Sequence, residues 1–378
     1  MIEILFFAFY FLVVFSPSSS AWSSSFAPFR NTTVTQDPNG DKTVGDFIVL
    51  LKPEEERPWD ILFGELGLNS HPNIKLQNPS KDRYGTRYGD DVLTFGQNLR
   101  MARIKNLRRS DRDKIKSLAS VDSIQPPIKP MIPKFDIEFP RASSSKTQKR
   151  NLDKRENSPT AEFYTHNGKP WNLERLSTLW NLAEPPRPAD QLAFTYLHFD
   201  KYPGTGVDVY ILDSGLRMKH SVQFGNRIGR LFDEGIDADD YTGHGTICAS
   251  IIGSKSVGVA FGANIFGVKV GADEKIAGSL NKSTTSSRAD HISVEFAIDG
   301  VISRHKQRLE DPSFKGSVIS ISWFVTNPVD KDDLHVLARP EKGILFKLLE
   351  RAIDEGIHIT APAGDYGTDA CLFRLLLG

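Results

Sequence analysis

Short apolar runs separated by helix-like segments constrain the fold of this chain more than any other feature. The runs are strand-like and begin at Val207, Ile265, Val318 and Ile357. Between them, apolar residues recur with the spacing of amphipathic helices, at Val294, Ala297, Ile298, Val301 and Ile302 and again at Leu345, Leu348, Leu349, Ala352 and Ile353. This alternation predicts an α/β fold with a parallel sheet and right-handed crossovers. Active groups are then expected at the carboxyl ends of the strands.

Two polar motifs occur in the order expected of an acid–base pair. Asp213 ends the first predicted strand, and His244 precedes a run that can start a buried helix. Taken singly, each motif also fits a polar turn. Taken together, an aspartate at a strand end can orient an imidazole and stabilise its protonated form. The histidine can then serve as a general base.

These motifs resemble the subtilisin superfamily of serine peptidases, whose chain order is Asp, His, Ser. The matching segments are V-Y-I-L-D-S-G at 209–215, G-H-G-T-I-C-A at 243–249, G-V-A-F-G-A-N-I-F-G-V-K-V at 258–270, S-V-I-S-I-S at 317–322 and P-A-G-D at 362–365. The cysteine beside the histidine is typical of the proteinase K-like branch common in fungi. The resemblance covers about residues 207 to 371. It implies a parallel sheet with helices on both faces, and it implies Asp213 and His244 as two members of a catalytic triad.

The nucleophile is where this sequence departs from the family. The family's serine lies in a G-T-S-M-A motif well beyond the oxyanion-hole residue, and no such motif follows Asp365. Ser214 and Ser250 lie in segments that match other roles. The family pattern also stops after Cys371. We therefore expect a C-terminally truncated catalytic domain that lacks its nucleophile and is inactive in this form.

The oxyanion position and the substrate strand depart as well. Asp365 stands where the family has an asparagine, and an ionised aspartate has no N–H to donate to an oxyanion. The other interpretation is a loop aspartate with no role. The resemblance implies substrate contacts at Ser322, Trp323 and Phe324, where the family reads S-L-G-G. Side chains at Phe324 and Val325 in place of glycines predict a narrowed or blocked cleft.

The first segment indicates the compartment. Residues 4–15 are continuously apolar, and small residues follow up to Ala21. This pattern predicts a signal peptide over residues 1–21 and an extracellular or secretory location. Glu3 is the only charge before the apolar run, where Lys or Arg is usual, so a short membrane-associated or buried segment is the alternative. The run is too short for a transmembrane helix, so no stable membrane anchor is expected.

The remaining chain divides into three parts. Residues 22–134 contain a predicted strand at 47–52, helices at 59–66 and 109–118, and a strand at 121–124. Such a small α+β unit stands where the family has a prodomain that assists folding and inhibits the enzyme. Residues 135–160 form a basic, Ser-rich linker whose dibasic pairs fit either processing sites or a solvated linker. Residues 161–378 are then the N-terminal part of the catalytic domain.

Composition excludes several classes of protein. Lys plus Arg and Asp plus Glu number 47 each, which argues against a general nucleic-acid binder. Two cysteines exclude a disulfide-rich scaffold and a four-Cys zinc site. No cofactor is expected. Structural calcium is common in the family, but a solvated loop explains the acidic run Asp237, Asp239 and Asp240 better, so no metal ligand is assigned.

Two functions from different classes follow. The first is a secreted serine endopeptidase precursor whose partners are its own prodomain and, in a complete form, a polypeptide substrate. The second is a non-catalytic pseudoenzyme or a prodomain-type protease inhibitor. Inhibition of a proteinase K-like enzyme by residues 22–150 alone would favour the second function. A chance origin of the motifs would require all of them to fall in family order by accident.

Overall fold

The structure is a computed structural model. The described residues are 43–65, 67–68, 79–82, 85–128, 130–131, 164–177, 194–198, 201–232, 239–271, 293–325 and 343–362. The predicted signal peptide, the linker, Asp365 and Cys371 lie outside them. Among the described helices, none has both the length and the apolar character needed to cross a bilayer.

An antiparallel sheet with two helices forms the N-terminal unit. Its elements are β1 (Thr43–Leu51), α1 (Trp59–Glu65), β2 (Ser80–Asp82), β3 (Gly85–Arg87), β4 (Val92–Phe95), β5 (Met101–Arg108), α2 (Arg109–Ser117) and β6 (Val121–Gln125). The strands are ordered β2-β3-β4-β5-β1-β6. The strands and helices predicted at both ends of this unit are therefore confirmed. The sequence did not predict the short strands β2 to β5.

A small hairpin and a parallel sheet form the rest of the described chain. After β7 (Pro130–Met131), the hairpin consists of β8 (Tyr164–Lys169), α3 (Trp171–Ser177) and β9 (Phe194–His198). The elements that follow are β10 (Val207–Asp213), β11 (Ile228–Arg230), α4 (His244–Gly253), β12 (Asn264–Lys269), α5 (Val294–Arg308), β13 (Gly316–Ile321), β14 (Phe324–Val325), α6 (Ile344–Asp354) and β15 (His358–Thr360). The parallel sheet has the order β11-β12-β10-β13-β15. The predicted α/β architecture is confirmed.

Helices cover both faces of this sheet because the central strand β10 is apolar on both sides. Val209 and Ile211 pack with Ala249 of α4 in one core. Tyr210 and Leu212, which point to the opposite face, pack with residues of α5 and α6 in another. A strand buried on both faces is a near-continuous apolar run, which is the pattern that the sequence shows from Val207.

The two units share the core on the α5 and α6 side. Ile48 and Leu50 of β1 are fully buried there together with Val294 and Ala297 of α5. Opposite-facing residues of the same strand, such as Val49, pack instead inside the N-terminal unit. The N-terminal sheet therefore lies on the helices that cover the parallel sheet.

Candidate active site

Asp213 and His244 meet at the carboxyl end of β10. Asp213 is the last residue of that strand and His244 is the first residue of α4. The Oδ1 atom of Asp213 lies 2.7 Å from Nδ1 of His244, and both side chains are buried. The backbone N–H of Ser214 donates to the same oxygen at 2.7 Å. The pair predicted from two separate motifs therefore forms in the structure.

The electrostatics of the pair favour a charged imidazole. Burial acts against the imidazolium, but the hydrogen bond and the charge of Asp213, together with Cys248, raise the pKa of His244 to about 10. Oδ2 of Asp213 is buried and has no hydrogen-bond partner among the described residues. The interactions of this carboxylate therefore pass through Oδ1, which bonds to the imidazole and to the N–H of Ser214. Such a carboxylate can stabilise a protonated histidine.

Glycines allow the two side chains to approach each other. A Cβ on Gly245 would lie 2.3 Å from the carbonyl oxygen of Gly215 and 3.1 Å from Cβ of Asp213. Any side chain at this position would therefore displace the loop that holds Asp213. Gly243, immediately before His244, has a φ of 83°, a left-handed conformation that glycine adopts readily. These constraints explain the glycines on both sides of the histidine.

Asp240 organises the turn that presents the histidine. Its Oδ1 accepts hydrogen bonds from Ser214 Oγ at 2.8 Å and from the backbone of Gly243 at 2.8 Å. Its Oδ2 accepts from the backbone and the hydroxyl of Thr246 at 2.9 and 2.6 Å. Burial favours the neutral acid, yet these donors hold the pKa of Asp240 below its usual value. The carboxylate thus ties the strand end of β10 to the first turn of α4.

The expectation of a solvated acidic loop was wrong for Asp240, which is fully buried. Both of its oxygens accept protein hydrogen bonds, so neither is free to ligate calcium. Asp239 is more exposed and lies 3.4 Å from Arg230. Asp237 lies outside the described residues. The position of Asp240 shortly before His244 could have indicated its role. Its acidic neighbours instead favoured the interpretation of a solvated loop.

Cationic side chains anchor the same turn from neighbouring elements. Arg217 Nε donates to the carbonyl oxygen of Asp240 at 2.6 Å. Lys269, at the end of β12, donates to the carbonyl oxygen of Asp239 at 2.8 Å and lies 4.9 Å from the ring centroid of Tyr241. The turn before His244 is therefore held by one side chain from the loop after β10 and by one from the end of β12.

Cys248 lies beneath the histidine, one turn along α4. Its thiol is free and partly buried, and Sγ lies 3.9 Å from Nδ1 of His244. Asp213, His244 and Cys248 each offer one potential metal-ligand atom within 4.8 Å of the others. The imidazole nitrogen that faces the other two groups already bonds to Asp213. This arrangement suits proton transfer at the opposite nitrogen, Nε2.

The serines near the pair have other partners. Ser214 Oγ donates to Asp240 and accepts from the backbone of Gly245 at 3.0 Å. Ser250 Oγ donates to the carbonyl oxygen of Thr246 at 2.8 Å. Both hydroxyls serve to fix the fold around the pair.

The predicted substrate strand follows β13. Ser322 is partly buried, and Trp323 is fully buried with its Nε1 donating to the carbonyl oxygen of Leu212 at 2.6 Å. The indole thus belongs to the core, so a peptide could contact this residue only through its backbone. Phe324 and Val325 form β14, which pairs antiparallel with β7. The side chain of Phe324 lies outside the described residues, so a narrowed cleft remains a prediction.

Carboxylates on α5 join the two units and were missed by sequence reasoning. Asp299 accepts hydrogen bonds from the backbone N–H groups of Gln97, Asn98 and Leu99 at 2.7–2.8 Å. Glu295, one turn earlier, accepts from the backbone of Ile128 at 2.8 Å. Acidic residues four positions apart on an amphipathic helix normally indicate a solvated face, so the sequence carried no signal for this interface.

Comparison with known proteins agrees with the fold. Residues 204–323 match the model of the subtilase family, peptidase S8. The subtilisin-like serine protease Pen ch 18 of Penicillium rubens is 31% identical over 210 residues, which cover 53% of this chain and 35% of that protein. Subtilisin-like protease 8 of Arthroderma benhamiae is 30% identical over 222 residues, covering 56% of this chain and 38% of that protein.

A yeast protein gives a similar result. Subtilisin-like protease 3 of Saccharomyces cerevisiae is 30% identical over 206 residues, covering 54% of this chain and 36% of that protein. The chain thus spans somewhat more than a third of the length of these curated relatives. The matched region includes the strand that carries Asp213 and the helix that begins at His244. The matched region of this chain, residues 204–323, is therefore similar to the subtilase family of serine peptidases.

Proposed function

We propose that the parallel-sheet unit supplies the acid–base pair of a subtilisin-like serine endopeptidase. The observation that carries the proposal is the buried contact of 2.7 Å between Asp213 and His244 at the carboxyl end of the central strand. Asp213 holds Nδ1, which leaves Nε2 to take a proton from a serine hydroxyl and return it to the leaving amine. The resemblance implies a serine supplied by a G-T-S-M-A motif.

The raised pKa of His244 sets the pH dependence of this role. A general base must be neutral, and a histidine with a pKa of about 10 is protonated at neutral pH. Hydrolysis that depends on His244 should therefore increase as the pH rises towards that value. This profile distinguishes a histidine held by Asp213 from an ordinary surface histidine, whose pKa is about 6.5.

We further propose that the N-terminal unit acts as the prodomain of a secreted precursor. Its supporting observation is the pairing of β7 with β14, next to the predicted substrate strand. A segment added to a free strand edge resembles a bound peptide, because backbone hydrogen bonds provide its attachment. The N-terminal unit would thereby cover the substrate strand until it is removed.

A chimera tests catalysis directly, because it joins the acid–base pair to a segment expected to supply the serine. Residues 1–361 would be joined to the C-terminal part of the Penicillium rubens relative that provides the nucleophile motif. After separation of the N-terminal unit, the chimera should hydrolyse casein and peptide anilides. His244→Ala should lower kcat by about 10⁴–10⁶-fold, and Asp213→Asn by about 10⁴-fold.

The control is Asp239→Asn, which changes an exposed carboxylate beside the buried Asp240. It should leave kcat within about twofold, because surface changes away from such features have small effects. A folded chimera whose hydrolysis is unaffected by His244→Ala would contradict the proposed role of the pair. A folded chimera without any hydrolysis would contradict the proposed function itself.

The second candidate function is inhibition of a separate peptidase by the N-terminal unit. It is favoured by the unit's own buried core, which includes Val49, Phe63 and Ile104, and by the strand-like β7 that it presents. Residues 22–150 would be titrated against a proteinase K-like enzyme. Inhibition at micromolar concentration would support this function, and its absence at that concentration would remove it.

A further inference from the structure

Helix α5 binds the N-terminal unit through two carboxylates that differ in how well they are satisfied. Asp299 accepts three backbone N–H groups, which engage both of its oxygens. Glu295 accepts one hydrogen bond across the interface, from the backbone N–H of Ile128 to Oε1 at 2.8 Å. Oε2 of Glu295 is buried and has no hydrogen-bond partner among the described residues. Ionised, Glu295 therefore keeps a charged oxygen away from both water and donors.

The surroundings of Glu295 compensate its charge only in part. The residue is fully buried. Burial raises its pKa above the usual range, although the N–H groups of Ile128 and of Glu295 itself, the hydroxyl of Ser293 and the charge of Arg103 act against it. The charge that acts on it is that of Arg103 on β5. Asp46 of β1 is bound to the same guanidinium at 2.9 Å, so this cation is shared with another carboxylate.

We propose that Glu295 is a proton-controlled latch for the segment that ends in β7. The glutamic acid is protonated while Ile128 lies against α5 and β7 pairs with β14, and it ionises when they leave. The contact is therefore tight in acid and loosens towards neutral pH. The proposal deepens the proposed prodomain role, but it concerns docking and does not depend on hydrolysis.

The direction of this pH dependence follows from the pKa of Glu295 in the docked and in the released state. Released from the contact and exposed at the start of α5, Glu295 would have a pKa near the ordinary value of about 4.3. Docked, its pKa is higher. The docked state therefore binds more protons, and its stability is lost as the pH rises from the ordinary value through the raised one. Within that window the docking constant changes by at most about tenfold per pH unit.

The contact between Glu295 and Ile128 lies close enough to β7 to affect its pairing. Ile128 lies two residues before the β-pairing of Pro130 and Met131 with β14. A pairing of two residues is marginal in isolation. Loss of the anchor at Ile128 should therefore release the pairing along with it.

Hydrogen exchange on the whole chain tests this proposal. The amides of Ile128 and Met131 would be followed at pH 5 and pH 8, with protection corrected for the intrinsic exchange rate. In the wild type we expect greater protection at pH 5 than at pH 8, because the docked state binds more protons, and the gain is at most about tenfold for each unit of pKa difference. In Glu295→Gln, which keeps the shape without the charge, protection should be equal at the two pH values.

Asp299→Asn is the matched control on the same helix face. It should lower the protection of residues 97–99 at both pH values and keep the pH dependence at Ile128. Amides of β10 report whether each variant is folded. Equal protection of Ile128 at both pH values in the wild type would overturn the latch, and so would a Glu295→Gln variant that keeps the pH dependence. The proposed function is tested separately by hydrolysis in the chimera.

Discussion

The candidate site and the interface between the units both depend on buried carboxylates, but each contains two kinds. Asp240 in the site and Asp299 at the interface have both oxygens occupied by protein donors. Asp213 in the site and Glu295 at the interface each keep one buried oxygen that has no hydrogen-bond partner among the described residues. The first kind fixes the geometry of a loop. The second kind changes its interactions when a proton binds nearby. For Asp213 that proton is on His244, and for Glu295 it is on the carboxyl group itself.

This difference separates structural acids from chemical ones. A carboxylate that accepts several N–H or O–H bonds is held ionised and loses those bonds if it is changed. A carboxylate with a vacant buried oxygen responds to protonation of itself or of its partner. The predictions below test whether the two kinds of acid behave differently under matched substitution.

The largest effect is expected at Asp240. Asp240→Asn keeps the volume but places an N–H₂ group among donors from Ser214, Gly243 and Thr246. Breaking a buried charged network costs about 3–5 kcal/mol. Denaturant unfolding should show a loss of this size, with Asp239→Asn within about 0.5 kcal/mol of the wild type. Equal losses in the two variants would show that Asp240 does not organise the turn.

A smaller effect is expected at Asp299. Asp299→Asn removes the charge that the backbone groups of Gln97, Asn98 and Leu99 share. Hydrogen bonds to charged groups contribute about 1.5–3 kcal/mol, so we expect a loss of about 2 kcal/mol in the free energy of unfolding. Asp354→Asn, at the exposed end of α6, is the control and should change little. A loss below 0.5 kcal/mol in Asp299→Asn would contradict the structural role.

The smallest effect is expected at the edge of the interface. Asp122 of β6 lies 2.6 Å from Lys347 and 3.0 Å from Arg351, and all three side chains are partly exposed. Exposed ion pairs contribute about 0–1 kcal/mol. Asp122→Asn should therefore cost less than 1 kcal/mol, and the cost should shrink further in 1 M salt. A larger, salt-independent loss would mean that Asp122 behaves like the buried acids.

The sequence predicted the parallel-sheet unit well because its patterns are strong. The buried strand at Val207 and the helical spacing from Val294 and from Leu345 all correspond to observed elements. The two motifs at Asp213 and His244 sit at a strand end and a helix start, so their meeting also followed from the predicted topology. In this region local pattern and tertiary packing agree.

The remaining features depend on contacts that local sequence does not encode. Strands β2 to β4 are short and separated by glycine turns, and their pairing with β5 is what defines them. Asp240, Glu295 and Asp299 are buried because another segment packs over them. An acidic side chain normally predicts a solvent-exposed position. Local sequence therefore does not predict that another segment will bury it. Trp323 was likewise assigned to the substrate strand, although its indole lies in the core.

The central claim is that Asp213 and His244 form a coupled acid–base pair, and the most direct measurement is the pKa of His244 by NMR. The imidazole would be followed through a pH titration in the wild type and in Asp213→Asn. We predict a pKa raised to about 10 in the wild type. In Asp213→Asn it should fall well below that value, because the charge of Asp213 no longer offsets the effect of burial on the imidazolium. An ordinary pKa near 6.5 that is unchanged by Asp213→Asn would contradict the account.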